Sequence, residues 1–282
     1  MKAVARLGVP YGLSLPAVVL LGLCFVLPIA NLLLLSVTEA KPGSGITFKH
    51  YATFFSDSYT RELLWVTLRV SLLTTLISLV LAFPVALYMR QVSPRARGLL
   101  AFLLLSPLLT SVVVRTLAWV FILGPKGVLN TGLSAVGLQT VRLLYNETGV
   151  VIGMVHVFFG YMVLSLMTSI LKLDDNLLLA ARNLGATKWK ILTRIVVPLC
   201  LPGILAGSVL VFSLSASTYA TPALLGGTGT KLMSPEVYDL AITQLAWDEA
   251  ATVATILFLM SATLVLAGSA LIGSGKRKVI FQ

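Results

Sequence analysis

The most distinctive chemistry in the chain lies at 180–203, A-A-R-N-L-G-A-T-K-W-K-I-L-T-R-I-V-V-P-L-C-L-P-G, a basic segment broken by glycine between two long apolar runs. Arg182, Lys188, Lys190 and Arg194 supply positive charge, and Trp189 and Ile191 supply apolar knobs. Such a set suits recognition of a partner surface rather than bond making. Catalytic sets are absent elsewhere. No G-x-x-x-x-G-K-[ST] phosphate loop occurs: in Gly229-Thr230-Lys231 the Gly and Lys are separated, and Gly275-Lys276-Arg277 lacks the hydroxyl and the leading glycine. The chain is therefore expected not to hydrolyse ATP alone. His50 and His156 form no H-E-x-x-H, and no Asp or Glu lies in the apolar runs to complete a Ser/His/Asp set, which disfavours a membrane enzyme. Cys24 and Cys200 have no CxxC or Cys/His spacing around them, so neither a disulfide nor a bound metal is expected.

The elements that must position this segment follow from composition. Of 282 residues, 57% are hydrophobic and 11% charged, and the mean hydropathy is +0.97, which marks an integral membrane protein. Runs long enough to cross a bilayer as helices occur at 13–37, 63–88, 99–122, 149–170, 198–225 and 250–272. The expected fold is all-α, one transmembrane domain over 1–282 with six spans. Lys2 and Arg6 precede the first run and Ala40 follows it, yet the run exceeds the core of a secretory signal, so an uncleaved span is expected.

Net charge +11 suggests nucleic acid in a soluble chain, but its distribution argues otherwise. With the N-terminus cytoplasmic, Lys2, Arg6, Arg90, Arg95, Arg97, Lys172, Arg182, Lys188, Lys190, Arg194, Lys276, Arg277 and Lys278 all fall inside, opposed only by Asp174 and Asp175. The positive-inside rule then places both termini in the cytoplasm and makes the 174–197 segment a cytoplasmic loop. No nucleic-acid partner is needed.

Between the first two spans, T-F-K-H-Y-A-T-F-F alternates aromatic and polar groups suited to the headgroup zone. Thr67, Ser71, Thr74, Thr75 and Ser78 recur at helical spacing in the second span and permit close helix packing. Pro107 is expected to kink the third span. Within the basic loop, residues 176–182 are expected to continue the fourth helix, Gly185 to supply a turn that a Cβ opposes, and 187–195 to form a short helix. That arrangement is a lever offered to a partner groove. An amphipathic loop lying on anionic lipid is the alternative.

Residues able to meet a cargo are fewer. Arg115 and Arg69 lie within spans, roughly 10 Å or less from their outer ends at about 1.5 Å per residue, and can either line a route, snorkel outward or bridge helices. Arg115 would repel a polyamine and attract a carboxylate or phosphonate. Trp119, Tyr161, Ser217, Tyr219 and Thr221 complete the pathway candidates, the hydroxyls forming a polar stripe that a lipid-facing helix would place poorly. His156 reads as an interhelical hydrogen-bond donor. A short amphipathic helix is expected over Pro235–Trp247, where Glu236, Asp239, Asp248 and Glu249 can receive a binding protein or a cation, or remain a solvated loop.

The spacing Ala180-Ala181, three residues, Gly185, nine residues, Ile195, two residues, Pro198 resembles the "EAA" loop of binding-protein-dependent ABC-importer permeases, with Val197 for Leu and Leu179 where that family has Glu. T-S-V-V-V-R-T-L-A-W-V-F-I-L-G at 110–124, G-V-L-N at 127–130 and Y-A-T-P-A-L-L-G-G at 219–227 resemble spermidine/putrescine-type members, a subfamily that includes carriers for opines and phosphonates. The resemblance implies the type I importer permease fold in a bacterial inner membrane, with lipid around it. It implies ATPase coupling through Ala180, Ala181, Gly185, Ala186, Thr187, Trp189, Ile195 and Pro198. It also implies a second permease subunit, two ATPase subunits and a periplasmic solute-binding protein as partners. ATP and Mg belong to the ATPase, and this chain binds no cofactor of its own. The cargo expected is a small nitrogenous solute, a polyamine, with an anionic or zwitterionic opine or phosphonate as the alternative. An ion-coupled carrier or channel is the reading from another class, and it calls for intramembrane carboxylates or broken half-helices.

Overall fold

A computed structural model describes residues 11–38 and 45–279, with side chains over 15–38 and 45–270. Lys2, Arg6 and Ala40 lie outside the described residues, as do the side chains of Lys276, Arg277 and Lys278. Among the described residues the structure is helical: α1 Tyr11–Ser36, α2 Lys49–Ser56, α3 Ser58–Gln91, α4 Pro94–Leu109, α5 Val112–Leu123, α6 Val128–Ala135, α7 Glu147–Ile170, α8 Asp175–Asn183, α9 Lys188–Ile191, α10 Val197–Ser217, α11 Ala220–Gly226, α12 Met233–Tyr238 and α13 Trp247–Val279. Six stretches are long and apolar enough to span a membrane, as many as the sequence runs, although the third is Val112–Ala135 where the run is 99–122 and the fifth is Lys188–Ser217 where the run is 198–225. The chain divides into two compact units, Met1–Asp57 with Val237–Ile256, and Ser58–Glu236 with Leu257–Gln282.

In the first unit, α1 is apolar all round, and Leu15, Leu20, Leu21 and Phe25 are exposed, as a lipid-facing helix requires. Its end is tied by polar contacts. Tyr51 donates to Ser36 Oγ at 2.7 Å, Thr252 donates to the Ser36 carbonyl at 3.3 Å, and His50 Nε2 lies 3.5 Å from Asp248 Oδ2. The aromatic stretch near Tyr51 is the helix α2, with Phe54 buried, rather than an irregular loop.

The second unit is built on α3, α7 and α10. The hydroxylated stripe of α3 is buried as its spacing implies: Thr67, Ser71, Thr74 and Ser78 are inaccessible, and Thr75 nearly so. Small side chains let backbones approach and give dispersion contacts where lipid offers no hydrophobic drive. Gly203 and Gly207, four residues apart on α10, serve the same end against α7. A methyl at 207 would stand 2.7 Å from Met162 Sδ, and one at 203 would stand 2.6 Å from Ser169 Oγ.

Four sequence expectations need correction. The third span is interrupted: α4 ends at Leu109, and α5 starts at Val112 after extended Thr110 and Ser111, so the chain breaks just beyond Pro107 rather than kinking at it. The fifth run breaks too, at Thr218–Tyr219 between α10 and α11. Residues 176–182 do not continue the fourth helix; α7 stops at Ile170, and Asp174 caps a separate α8 by accepting from Asn176 N at 2.9 Å. Pro235–Trp247 is not one helix but α12 running into a π-turn at Asp239–Thr243, with α13 beginning at Trp247.

Candidate functional site

The basic loop folds as two helices joined at Gly185. The chain leaves α8 through paired backbone bonds: Ala186 N donates to Ala181 O at 3.0 Å, and Gly185 N donates to Arg182 O at 2.9 Å. This six-to-one and five-to-two pairing is a Schellman cap, which needs a left-handed residue after the helix. Gly185 has φ +77°, a conformation in which a Cβ is opposed. Ala181 and Ala186 are small, half-buried and packed against the core below, as the apolar contact of such a cap requires. Thr187 then caps α9 by accepting from Lys190 N at 3.4 Å.

α9 is not a free short helix. It passes through a π-turn at Leu192–Val196 directly into α10, so Lys188–Ser217 forms one 30-residue apolar stretch. Pro198 supplies the cause. It lacks the N–H that would bond Arg194 O and its ring crowds that carbonyl, and a widened π-turn relieves both. Ile195 is half-buried and Pro198 exposed at this junction. Motion of α9 is therefore motion of a transmembrane helix.

The exposed surface of the element is apolar at its crests and basic between them. Leu184 is 88% exposed, Trp189 72% and Leu179 53%, with Ala180 also exposed, while Ile191 turns into the core. Arg182, Lys188, Lys190 and Arg194 are exposed and make no ion pair among the described residues. Other arginines hold the base rigid. Arg90 donates to Leu173 O and Asp175 Oδ1, both at 2.8 Å, which ties α3 to the α7–α8 turn. Arg97 donates to Met89 O at 2.9 Å and Arg90 O at 3.0 Å, capping the last carbonyls of α3.

The pathway candidates separate into two groups. On α5, Arg115 donates to the Pro107 carbonyl across the α4–α5 break, satisfying an acceptor that the broken helix leaves without an amide. Trp119 Nε1 donates to His156 Nδ1 at 3.2 Å, with the rings edge-on at 5.5 Å, so His156 accepts at that nitrogen where a donor was expected. Tyr161 is half-buried on α7. At the α10–α11 break, Ser217 and Tyr219 are exposed, whereas Thr221 is buried with its methyl against Gly153 of α7. Arg69 bridges α3 to Glu147 at the start of α7.

The acidic candidates also differ in placement. Glu236 is 7% exposed, accepting from Tyr59 OH at 2.8 Å and lying 3.4 Å from Lys231 Nζ, so it is an internal partner rather than a docking group. Asp239 accepts from Gln244 at 3.4 Å, Asp248 is half-buried near His50, and Glu249 is exposed in the first turn of α13. Asn130, within the G-V-L-N stretch, proves structural: its amide bonds Gly124 O and Val141 O at 3.0 Å and Val141 N at 2.8 Å, closing the loop after α5. Its polarity in a Gly-rich loop was the only signal of this.

These features together define the fold of an ABC-importer permease, and a solved bacterial ABC transporter involved in the import of the acidic polysaccharide alginate aligns at TM-score 0.78 and 22% identity, over 94% of each chain. Residues 99–274 match the family of binding-protein-dependent transport system inner membrane components, and the chain belongs to that family. It is 33% identical over 257 residues to the spermidine/putrescine transport system permease protein PotB of Haemophilus influenzae, covering 88% of this chain and 90% of that one. With PotB of Escherichia coli it shares 36% identity over 189 residues, 64% of this chain and 69% of the relative.

Proposed function

We propose that this chain is one permease subunit of an ATP-driven polyamine importer, with both termini cytoplasmic and the α8–Gly185–α9 element docked on a partner ATPase. One observation carries the reading: an exposed Trp189 and Leu184 ride on a capped turn that is mechanically continuous with a membrane-spanning helix. A loop lying on lipid needs no such continuity. ATP and Mg sit in the partner ATPase, whose closure pushes α9 and so biases the helices between two access states. A second permease subunit and a periplasmic solute-binding protein complete the assembly. Ala180, Ala181, Gly185, Ala186, Thr187, Trp189, Ile195 and Pro198 form or brace the contact; Arg115, Trp119, Tyr161, Ser217 and Tyr219 border the route.

Cargo class rests on the PotB relatives, whose likeness extends over most of the chain. Arg115 donates to the Pro107 carbonyl and so braces the helix break in this reading, but its positive charge remains and favours a route for a cationic cargo that keeps away from it. The test is uptake into proteoliposomes holding the whole complex. Spermidine should enter only with ATP inside and binding protein outside. Uptake that ignores ATP and follows an ion gradient would identify a carrier, and ATP-driven uptake of an opine or phosphonate with none of spermidine would reassign the cargo.

A further inference from the structure

A cavity of about 570 Å³ opens between the end of α3 and the α8–α9 element. Leu173, Ile191 and Val196, all largely buried, form its floor, with Leu87 and Leu192 beside them. Arg90, Arg182 and Lys188 stand in its wall against a single acid, Asp175. Arg90 is bound to Asp175, so Arg182 and Lys188, exposed and without ion pairs among the described residues, leave the site cationic. The cavity is apolar where it is buried and positive where it meets solvent.

Its depth follows from the spans that end at it. The 34-residue α3 measures about 50 Å at about 1.5 Å per residue, longer than a hydrocarbon core of about 30 Å, so residues 87–91 reach the headgroup zone. The stretch Lys188–Ser217 starts at the same end, with Lys188 and Ile191 in the cavity. Basic pockets between spans on the cytoplasmic side recognise anionic headgroups. Inorganic phosphate would meet only the cations and leave the apolar floor in water. An inserted peptide would bring backbone amides for which an apolar wall has few partners. A phospholipid brings an anion and hydrocarbon in one molecule.

We propose that this cavity holds the headgroup and proximal chains of one anionic phospholipid, its phosphate on Arg182 and Lys188 and its hydrocarbon over Leu173, Ile191 and Val196. The proposal rests on the cytoplasmic orientation given above and adds a second partner for the basic loop. The lipid braces the lever against α3, while Trp189 and Leu184, which do not line the cavity, stay free for the ATPase. Leu179 lies on both surfaces, in the cavity wall and at the exposed crest.

The sample is the complete complex in nanodiscs of phosphatidylglycerol mixed into phosphatidylcholine, and native mass spectrometry counts the phosphatidylglycerol that stays bound on release. The wild type should retain phosphatidylglycerol in preference to phosphatidylcholine, and absence of that preference overturns the site. Arg182→Gln with Lys188→Gln should lower the preference about 10- to 30-fold, as loss of two cations beside an anionic headgroup predicts. Lys190→Gln with Arg194→Gln removes the same charge from the same element outside the cavity and should leave retention unchanged. Equal loss in both double variants means diffuse attraction to the leaflet and overturns the site. Unchanged retention in Arg182→Gln with Lys188→Gln also overturns it, and assigns the cavity to the ATPase if ATPase binding weakens in that variant. ATP-driven spermidine uptake by the wild-type preparation reports on the function reading separately: its absence beside selective lipid retention overturns that reading and leaves the site standing.

Discussion

The α8–α9 element and the region around Glu236 use charge in opposite ways. At the first, Arg182, Lys188, Lys190 and Arg194 point outward without ion pairs among the described residues, while Arg90 and Arg97 are turned inward onto backbone carbonyls. At the second, Glu236 and Glu147 are absorbed by Tyr59, Lys231 and Arg69 within the chain itself. The difference separates charge left for a partner from charge that holds the fold. Counting acids on a loop does not make that distinction, because only burial and a neighbour's hydroxyl distinguish Glu236 from Glu249.

Removing the internal acid should therefore cost more stability than removing any exposed base. Glu236→Ala leaves Tyr59 OH and Lys231 beside a vacated, largely buried position, and about 1–3 kcal/mol should be lost. Thermal unfolding in detergent should show a lowered midpoint, whereas Lys190→Ala should melt with the wild type. Equal melting of the two variants would erase the contrast.

Gly185 sharpens it from the other side. Gly185→Val forces a β-branched residue into φ +77° at a cost of about 1–2 kcal/mol, paid locally in the Schellman cap. Membrane insertion should be retained while ATPase stimulation by loaded binding protein falls. Gly185→Asn, which tolerates left-handed backbone better, should retain more coupling. Full stimulation in the Val variant would mean that the cap does not transmit force.

Leu179 predicts a smaller effect. It is exposed at the crest where the related loops carry Glu, so the contact there should be apolar and little screened by salt. Raising salt should leave the ATPase bound, and Leu179→Glu should change affinity by about 1 kcal/mol or less while adding salt dependence. Ready stripping of the wild-type ATPase by salt would contradict this.

Much of this architecture was legible in the sequence. Apolar length alone located six spans, and the hydroxyl spacing of α3 identified its buried face. The interruptions were not legible, because Thr110–Ser111 and Thr218–Tyr219 break helices inside unbroken hydropathy, where composition reports the solvent and not the backbone. Gly185 was recognisable from its turn chemistry. The fusion of α9 with α10 was hidden, since a proline ordinarily signals a helix end, and here a π-turn absorbs it. Partners distant in sequence, such as Tyr59 with Glu236 and Arg69 with Glu147, leave no local pattern.

The central claim is that α9 is the contact through which ATP hydrolysis moves the membrane helices. Trp189 tests it most directly, because an indole 72% exposed contributes little to the isolated fold yet has the character of an interface anchor. Affinity of the ATPase for the permease in nanodiscs should fall about 30-fold or more in Trp189→Ala, the loss of about 2 kcal/mol expected of such an anchor, with the melting temperature of the permease unchanged. A Trp189→Ala permease that binds its ATPase with wild-type affinity and still imports with ATP would contradict the account.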